Sequence, residues 1–344
     1  MILTVLGIII GVILLYLAVI IFSPVFFKPR QPIQKTESEP EAGEPPECRH
    51  DVTFTVENTA LSAWLYLPKK SVSVPCVIMS NGFGGTKGMI LEQYALRFVK
   101  AGIAVLGYDY RCFGESEGEP RQLFSIANQI EDLKAAINYV RNRKEINPDK
   151  IGLWGTSAAG GYGLIIASQD SDITCVIGQC PALDSHEDSK LAVQREGILF
   201  FLKLFVHAQR DKGRSRFGLS PHRVPIVGKP GTLAMVTAPG AFDGYSKLVS
   251  PNFVNLVCAR ALLATRGHNP YDYAQDVHCP VLLQICEKDN LISEASYKKT
   301  AAILGEYVEV KKYPIGHFDI YTGEHFEKAV NDQITFLKKH FEIQ

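Results

Sequence analysis

The chain has 344 residues, 46% of them hydrophobic, and its 36 lysines and arginines balance 36 aspartates and glutamates. That length suits one large domain or two modest ones. Zero net charge argues neither for nor against nucleic acid, no motif calls for it, and the missing GKS/T, paired CxxC and HExxH patterns set nucleotide and zinc chemistry aside.

The first 22 residues, "MILTVLGIIIGVILLYLAVIIF", carry no charge. At 1.5 Å per residue they are long enough for a hydrocarbon core of roughly 30 Å. No basic n-region or A-x-A cleavage site marks a signal peptide. Residues 1–27 are therefore expected to be a single-pass anchor. Lys28, Arg30 and Lys35 follow the apolar run and no lysine or arginine precedes it, which places the rest of the chain in the cytoplasm. Cys76, Cys175 and Cys286 lie in apolar strand-like runs, as reduced buried thiols do, while the even count of eight cysteines also permits disulfides. Residues 28–50 are rich in proline and glutamate and should form a flexible linker. Cys48 and His50 lie in it without a second ligand pair, so no metal is expected there.

From Asp51 a hairpin pattern ("DVTFTVE", "LSAWLYLP") is followed by short apolar strands near 75–80, 103–108, 151–155, 173–180, 280–286 and 307–313. Helical patterns near 89–101, 123–143, 158–169, 294–304 and 323–341 separate most of them. Such alternation predicts an α/β fold, with a mostly parallel sheet covered by helices on both faces. About a hundred residues between Cys180 and Pro280 break the rhythm, too many for a connection, and predict a helical cap at about 184–276. Within the cap, "GILFFLKLFV" (197–206) lies in a region, Lys190 to Lys229, with nine basic residues against two acids. Packing and an acyl-pocket wall are the expected roles of that run, and a basic amphipathic patch on an anionic membrane is the alternative.

Chemistry concentrates at the strand-to-helix junctions. In "KIGLWGTSAAGGYGL" (150–164), Ser157 sits where a strand should turn sharply into a helix, with Gly155 and Ala159 flanking it at two positions. Small residues there make room for an exposed nucleophile at strained angles. A serine needs a base. Of nine histidines, His317 alone follows a strand and precedes the final helix, unlike His268, His278 and His325. Asp289, just past a strand and 28 positions earlier, is the expected orienting acid; the alternatives are a turn or capping role for Asp289, Asp184 as the acid, and a loop-fixing role for Asp319. "NGFGG" (81–85) would bring backbone donors to an oxyanion, with the N–H groups of Phe83 and Ala158 as candidates. A phosphate loop is the rival reading, and the spacing fits neither G-x-G-x-x-G nor the GKS/T pattern.

The chain from about 51 to 344 resembles the α/β-hydrolase superfamily, and within it the dienelactone hydrolase and Xaa-Pro-peptidase-like branch. "NGFGG" (81–85), "DYRCFGESEG" (109–118), "GTSAAGG" (155–161), "EKDN" (287–290) and "GHFDIY" (316–321) carry the resemblance. Two positions depart from it: Cys112 stands where glycine is usual, and Ala159 replaces the second glycine of G-x-S-x-G. The resemblance implies a hydrolase fold with a cap and a Ser157–Asp289–His317 triad in the usual chain order. It implies no metal and no organic cofactor. The expected reaction is hydrolysis of a small-molecule acyl ester or thioester through a covalent acyl-enzyme. Short-peptide cleavage and acyl transfer are alternatives on the same triad, and a membrane-tethered binding module is the non-enzymatic one. Oligomeric state is not legible.

Overall fold

The computed structural model describes residues 2–23, 45–69 and 73–343. An N-terminal helix α1 (Ile2–Phe22) precedes the folded body. Residues 24–44, which hold most of the expected linker together with Lys28, Arg30 and Lys35, lie outside the described residues. The body starts two residues earlier than expected, with a hairpin of β1 (Arg49–Val56) and β2 (Thr59–Tyr66).

There follow β3 (Val74–Ser80), α2 (Lys87–Lys100), β4 (Ala104–Tyr108), α3 (Ile126–Arg141), β5 (Ile146–Thr156), α4 (Tyr162–Ala167) and β6 (Ile173–Gln179). The eight-stranded sheet is completed by β9 (Val281–Cys286) and β10 (Val308–Tyr313), with α9 (Glu294–Leu304) between them and α10 (Gly323–His340) after them. Strand order is β1-β2-β4-β3-β5-β6-β9-β10. β2 pairs antiparallel with β1 and β4, and the other neighbours pair in parallel.

The period-two pleat divides the apolar strands between two cores. Cys76, Ile78 and Leu153 face the side packed by α3, α4 and the segment after β6. Val77, Met79 and Trp154 face the side packed by α2 and α10. On α10, Phe326, Ala329, Val330, Gln333, Phe336 and Leu337 are buried, a stripe of helical period against the sheet. Inside the sheet-facing layer, Gln333 donates to Gln179 and Gln284 and accepts from Trp154, so a buried amide is satisfied on both sides.

Between β6 and β9 the chain is not purely helical. It forms α5 (Ser185–Glu196), α6 (Ile198–Arg216), α7 (Ala241–Leu248) and α8 (Ala261–Ala264), but also a two-residue antiparallel pair, β7 (Arg223–Val224) with β8 (Val257–Cys258). Buried Asp211 of α6 joins these pieces: its carboxylate accepts the backbone N–H groups of His222 and Arg260. The expected helix 158–169 is also shorter. A 3-10 turn, Ser157–Ala159, comes first, and α4 starts only after Gly160 and Gly161.

Candidate active site

The sheet delivers its functional loops to one edge, because the parallel strands β3, β5, β9 and β10 all end there. At the end of β5, Ser157 has φ of 53°, a left-handed backbone that a non-glycine residue adopts only when its surroundings hold it. Gly155 explains the tightness of the turn. A Cβ there would lie 2.2 Å from the Ala159 carbonyl oxygen. The loop after β3 packs against this turn, since a Cβ on Gly82 would lie 3.0 Å from the Ser157 Cβ.

His317 follows β10 and is buried. Its Nε2 lies 3.1 Å from Ser157 Oγ, and its Nδ1 lies 2.6 Å from Asp289 Oδ2. The other carboxylate oxygen of Asp289 accepts the N–H groups of Leu291 and Ile292 at 2.7 and 3.0 Å. Asp289 thus performs the turn chemistry its sequence suggests and faces the imidazole as well. Burial pulls the His317 pKa down, but the Asp289 carboxylate, with smaller contributions from Cys180 and Asp188, outweighs it and pushes the value up to about 9.

The alternative residues sit elsewhere. Asp184 caps α5 through the N–H groups of His186 and Glu187 and pairs with Lys299 at 3.1 Å. Asp319 accepts the Gly316 N–H at 2.8 Å and so braces the loop that carries His317. His325 lies on α10 and His278 packs on Tyr307. His268 lines the cavity described below, edge-on to Tyr162. Burial holds its pKa down near 4, so its ring is neutral.

Phe83 and Ala158 both border that cavity beside Ser157. Phe83 is fixed by its carbonyl, which accepts the Tyr245 hydroxyl at 2.8 Å, and by its ring, 4.6 Å from that of Phe124. Its backbone N–H has no hydrogen-bond partner among the described residues. Ala158 follows the serine in the 3-10 turn. Two amides at this place can face a developing oxyanion.

A cavity of about 280 Å³ opens over Ser157. Its walls are largely apolar: Met89, Ile126, Phe201, Met235, Leu248 and Leu291 contribute, from both the sheet edge and the segment after β6. Asp188, on α5, also lines it and was not singled out from sequence. It accepts the Ser293 N–H at 2.8 Å, and burial, reinforced by the nearby charge of Asp289, pushes its pKa up to about 7. In the sequence it reads only as an acid in a helix's first turn, where the dipole favours one. Tyr321, likewise missed, bonds Thr156 Oγ1 at 2.6 Å and steadies the residue before the nucleophile.

The profile of the X-Pro dipeptidyl-peptidase (S15) family matches residues 57–218. The chain is 40% identical over 296 residues, 86% of its length and 96% of the relative's, to the quorum-quenching protein AidA of Acinetobacter baumannii. It is 37% identical to the thiohydrolase aneE of Aspergillus aculeatus over 182 residues, 53% of this chain and 56% of that one. The crystal structure of the α/β hydrolase GrgF from Penicillium superposes with a TM-score of 0.73 at 26% identity, covering 86% of this chain and 99% of that one. A mostly parallel sheet with helices on both faces, a serine at a strained strand-to-helix turn and these relatives agree: the chain belongs to the α/β-hydrolase superfamily and is a hydrolase.

Proposed function

We propose that the chain is a membrane-anchored serine hydrolase that cleaves acyl esters or thioesters with Ser157, His317 and Asp289. The observation that carries this reading is the hydrogen-bonded series from Ser157 through His317 to Asp289 at the floor of an apolar cavity. Neutral His317 accepts the Ser157 proton at Nε2 while Ser157 Oγ attacks the acyl carbon. The charge that develops on the carbonyl oxygen meets the N–H groups of Phe83 and Ala158, and a single such donor is worth about 3 kcal/mol. The tetrahedral species collapses as His317 returns the proton to the departing alcohol or thiol. Water, deprotonated by His317 in its turn, then releases the acid and restores Ser157. Asp289 keeps the Nδ1 proton in place and stabilises the imidazolium. The apolar walls fit an acyl chain, and the thiohydrolase relative supports a thioester as one substrate class. Transfer to an alcohol in place of water needs no other residue.

In this reading residues 1–27 anchor the chain, 28–50 link it and 51–344 form the hydrolase domain, with the cap at about 184–276. Residues Thr4–Phe22 have a mean hydropathy of 3.2 and are not buried by the rest of the chain, as lipid contact requires. All eight cysteines are free thiols, in keeping with a cytoplasmic domain.

The test is a serine-directed fluorophosphonate on the full chain in detergent, beside Ser157→Ala and His317→Ala, followed by a graded series of acyl esters and thioesters. Labelling abolished by Ser157→Ala, together with ester turnover, is the expected result. A folded wild-type chain that neither labels nor turns over any ester overturns the reading.

A further inference from the structure

We propose that the turn between α5 and α6 rests in the same bilayer that α1 enters, so that the cavity draws its acyl substrate from the lipid phase. This rests on the anchor and hydrolase readings above.

The outward face of α6 is apolar. Ile198, Leu199, Leu202, Phe205 and Val206 are 41–70% exposed, and their spacing places them on one stripe of the helix. A contiguous patch of this kind is unusual on a surface that meets only water. The opposite face packs inward, with Leu204 and Ala208 buried. Phe201 lines the cavity, as do Ala192 and Arg195 at the end of α5. One helical corner therefore carries cavity wall on its inner side and uncovered apolar surface on its outer side.

The other end of α6 holds the end of α1. Arg214 Nη1 donates to the carbonyls of Ile21 and Ser23 at 2.7 and 3.1 Å, and Arg210 donates to Ser23 at 3.0 Å. Phe22 packs on Phe217 with ring centroids 5.1 Å apart. These contacts satisfy carbonyls that a helix C-terminus leaves unpaired and set positive charge at its negative end. Val206 is seven residues from Gly213, which touches Ile21, so at 1.5 Å per residue the apolar stripe starts roughly 10 Å along α6 from its contact with the end of α1.

Charge agrees with a lipid surface as the occupant. Lys203, Lys212 and Arg216 are exposed on α6, whereas its one acid, Asp211, is buried. Exposed basic groups beside an apolar face favour anionic headgroups over a second copy of the same basic patch.

The experiment uses the full chain in vesicles of phosphatidylcholine with a fraction of anionic lipid. Leu202→Trp is compared with wild type and with Asn331→Trp, an exposed site on α10 across the sheet. Quenching by brominated acyl chains confined to the Leu202→Trp emission supports the proposal. A chain that floats with vesicles but shows no quenching at 202 overturns it and leaves the anchor intact, whereas a chain that does not float overturns the anchor itself. Burial at 202 that varies with protein concentration and not with lipid bromination means a second copy covers the stripe, and overturns the proposal. For substrate delivery, Leu199→Glu with Leu202→Glu should slow a long-chain ester dissolved in the vesicles by ~10-fold and spare a short water-soluble ester. Equal loss on both esters, or loss on neither, overturns delivery. Absence of wild-type turnover on both overturns the hydrolase reading instead, and quenching then decides membrane contact alone.

Discussion

Replacing Asp289 by asparagine removes the carboxylate 2.6 Å from His317 Nδ1 and keeps the shape of the loop. The rise of His317 from 6.5 to about 9 corresponds to roughly 3 kcal/mol in favour of the imidazolium, after burial has worked against it. Asp289 is the largest source of that rise, so its loss should bring the His317 pKa back toward or below 6.5. Two consequences are measurable on a chromogenic ester. Wild-type kcat/KM should climb between pH 7 and 9 as the base loses its proton, and the rising limb should move to lower pH in Asp289→Asn. Above both limbs the variant should remain about 10⁴-fold slower, because the imidazole is no longer held in the tautomer that presents a free Nε2. Stability must move in a defined sense as well. A raised histidine pKa contributes stability that is fully present below pH 6.5 and lost as pH rises through about 9. The stability gap between wild type and Asp289→Asn should therefore shrink across that window in chemical unfolding. A rising limb that stays in place, or an Asp184→Asn variant with the same rate loss, would refute the assignment of Asp289.

Two substitutions probe what positions the site. Lys87 is buried, with Nζ 2.8 Å from Asp109, 2.6 Å from Glu115 and 3.0 Å from Ser62, just after the "NGFGG" loop. Lys87→Met strands the buried Asp109 carboxylate and should cost about 3–5 kcal/mol in urea unfolding. Gly155→Ala drives a Cβ into the Ala159 carbonyl, and the shift this forces on Ser157 should slow fluorophosphonate labelling by ~100-fold.

The sheet was legible in the sequence because strands buried on both faces read as continuous apolar runs, and β3, β6 and β9 lie close to the expected bounds; β10 does too, although it is an edge strand of mostly half-buried residues. The start of β5 was not: "INPDK" is polar and half exposed, and its pairing with β3 breaks register there. The strands β7 and β8 were invisible because two residues carry no period. Ser157, Asp289 and His317 could be singled out as candidates because each follows a strand whose end the topology brings to one edge, where hydrogen bonds join them. Asp188 could not, since its importance comes from α5 folding back over β9's loop. The docking of α1 on α6 is likewise tertiary: Arg210 and Arg214 look like any basic residues on a helix until the carbonyls of Ile21 and Ser23 meet them.

Asp188 also changes how the pH dependence is to be understood. Its carboxyl, pushed up to about 7 by burial, passes from neutral to charged in the range where His317 is giving up its proton. Each ionisation affects the other: a charged Asp188 holds the proton on His317 more tightly, and a protonated His317 favours the charged Asp188. The wild-type limb therefore carries a smaller contribution from Asp188 beside those of Asp289 and Cys180. Asp188 and the neutral ring of His268 are polar groups in the cavity wall. In the proposed reading the residues of that wall, and not Ser157, His317 and Asp289, decide between water and an alcohol as the acyl acceptor.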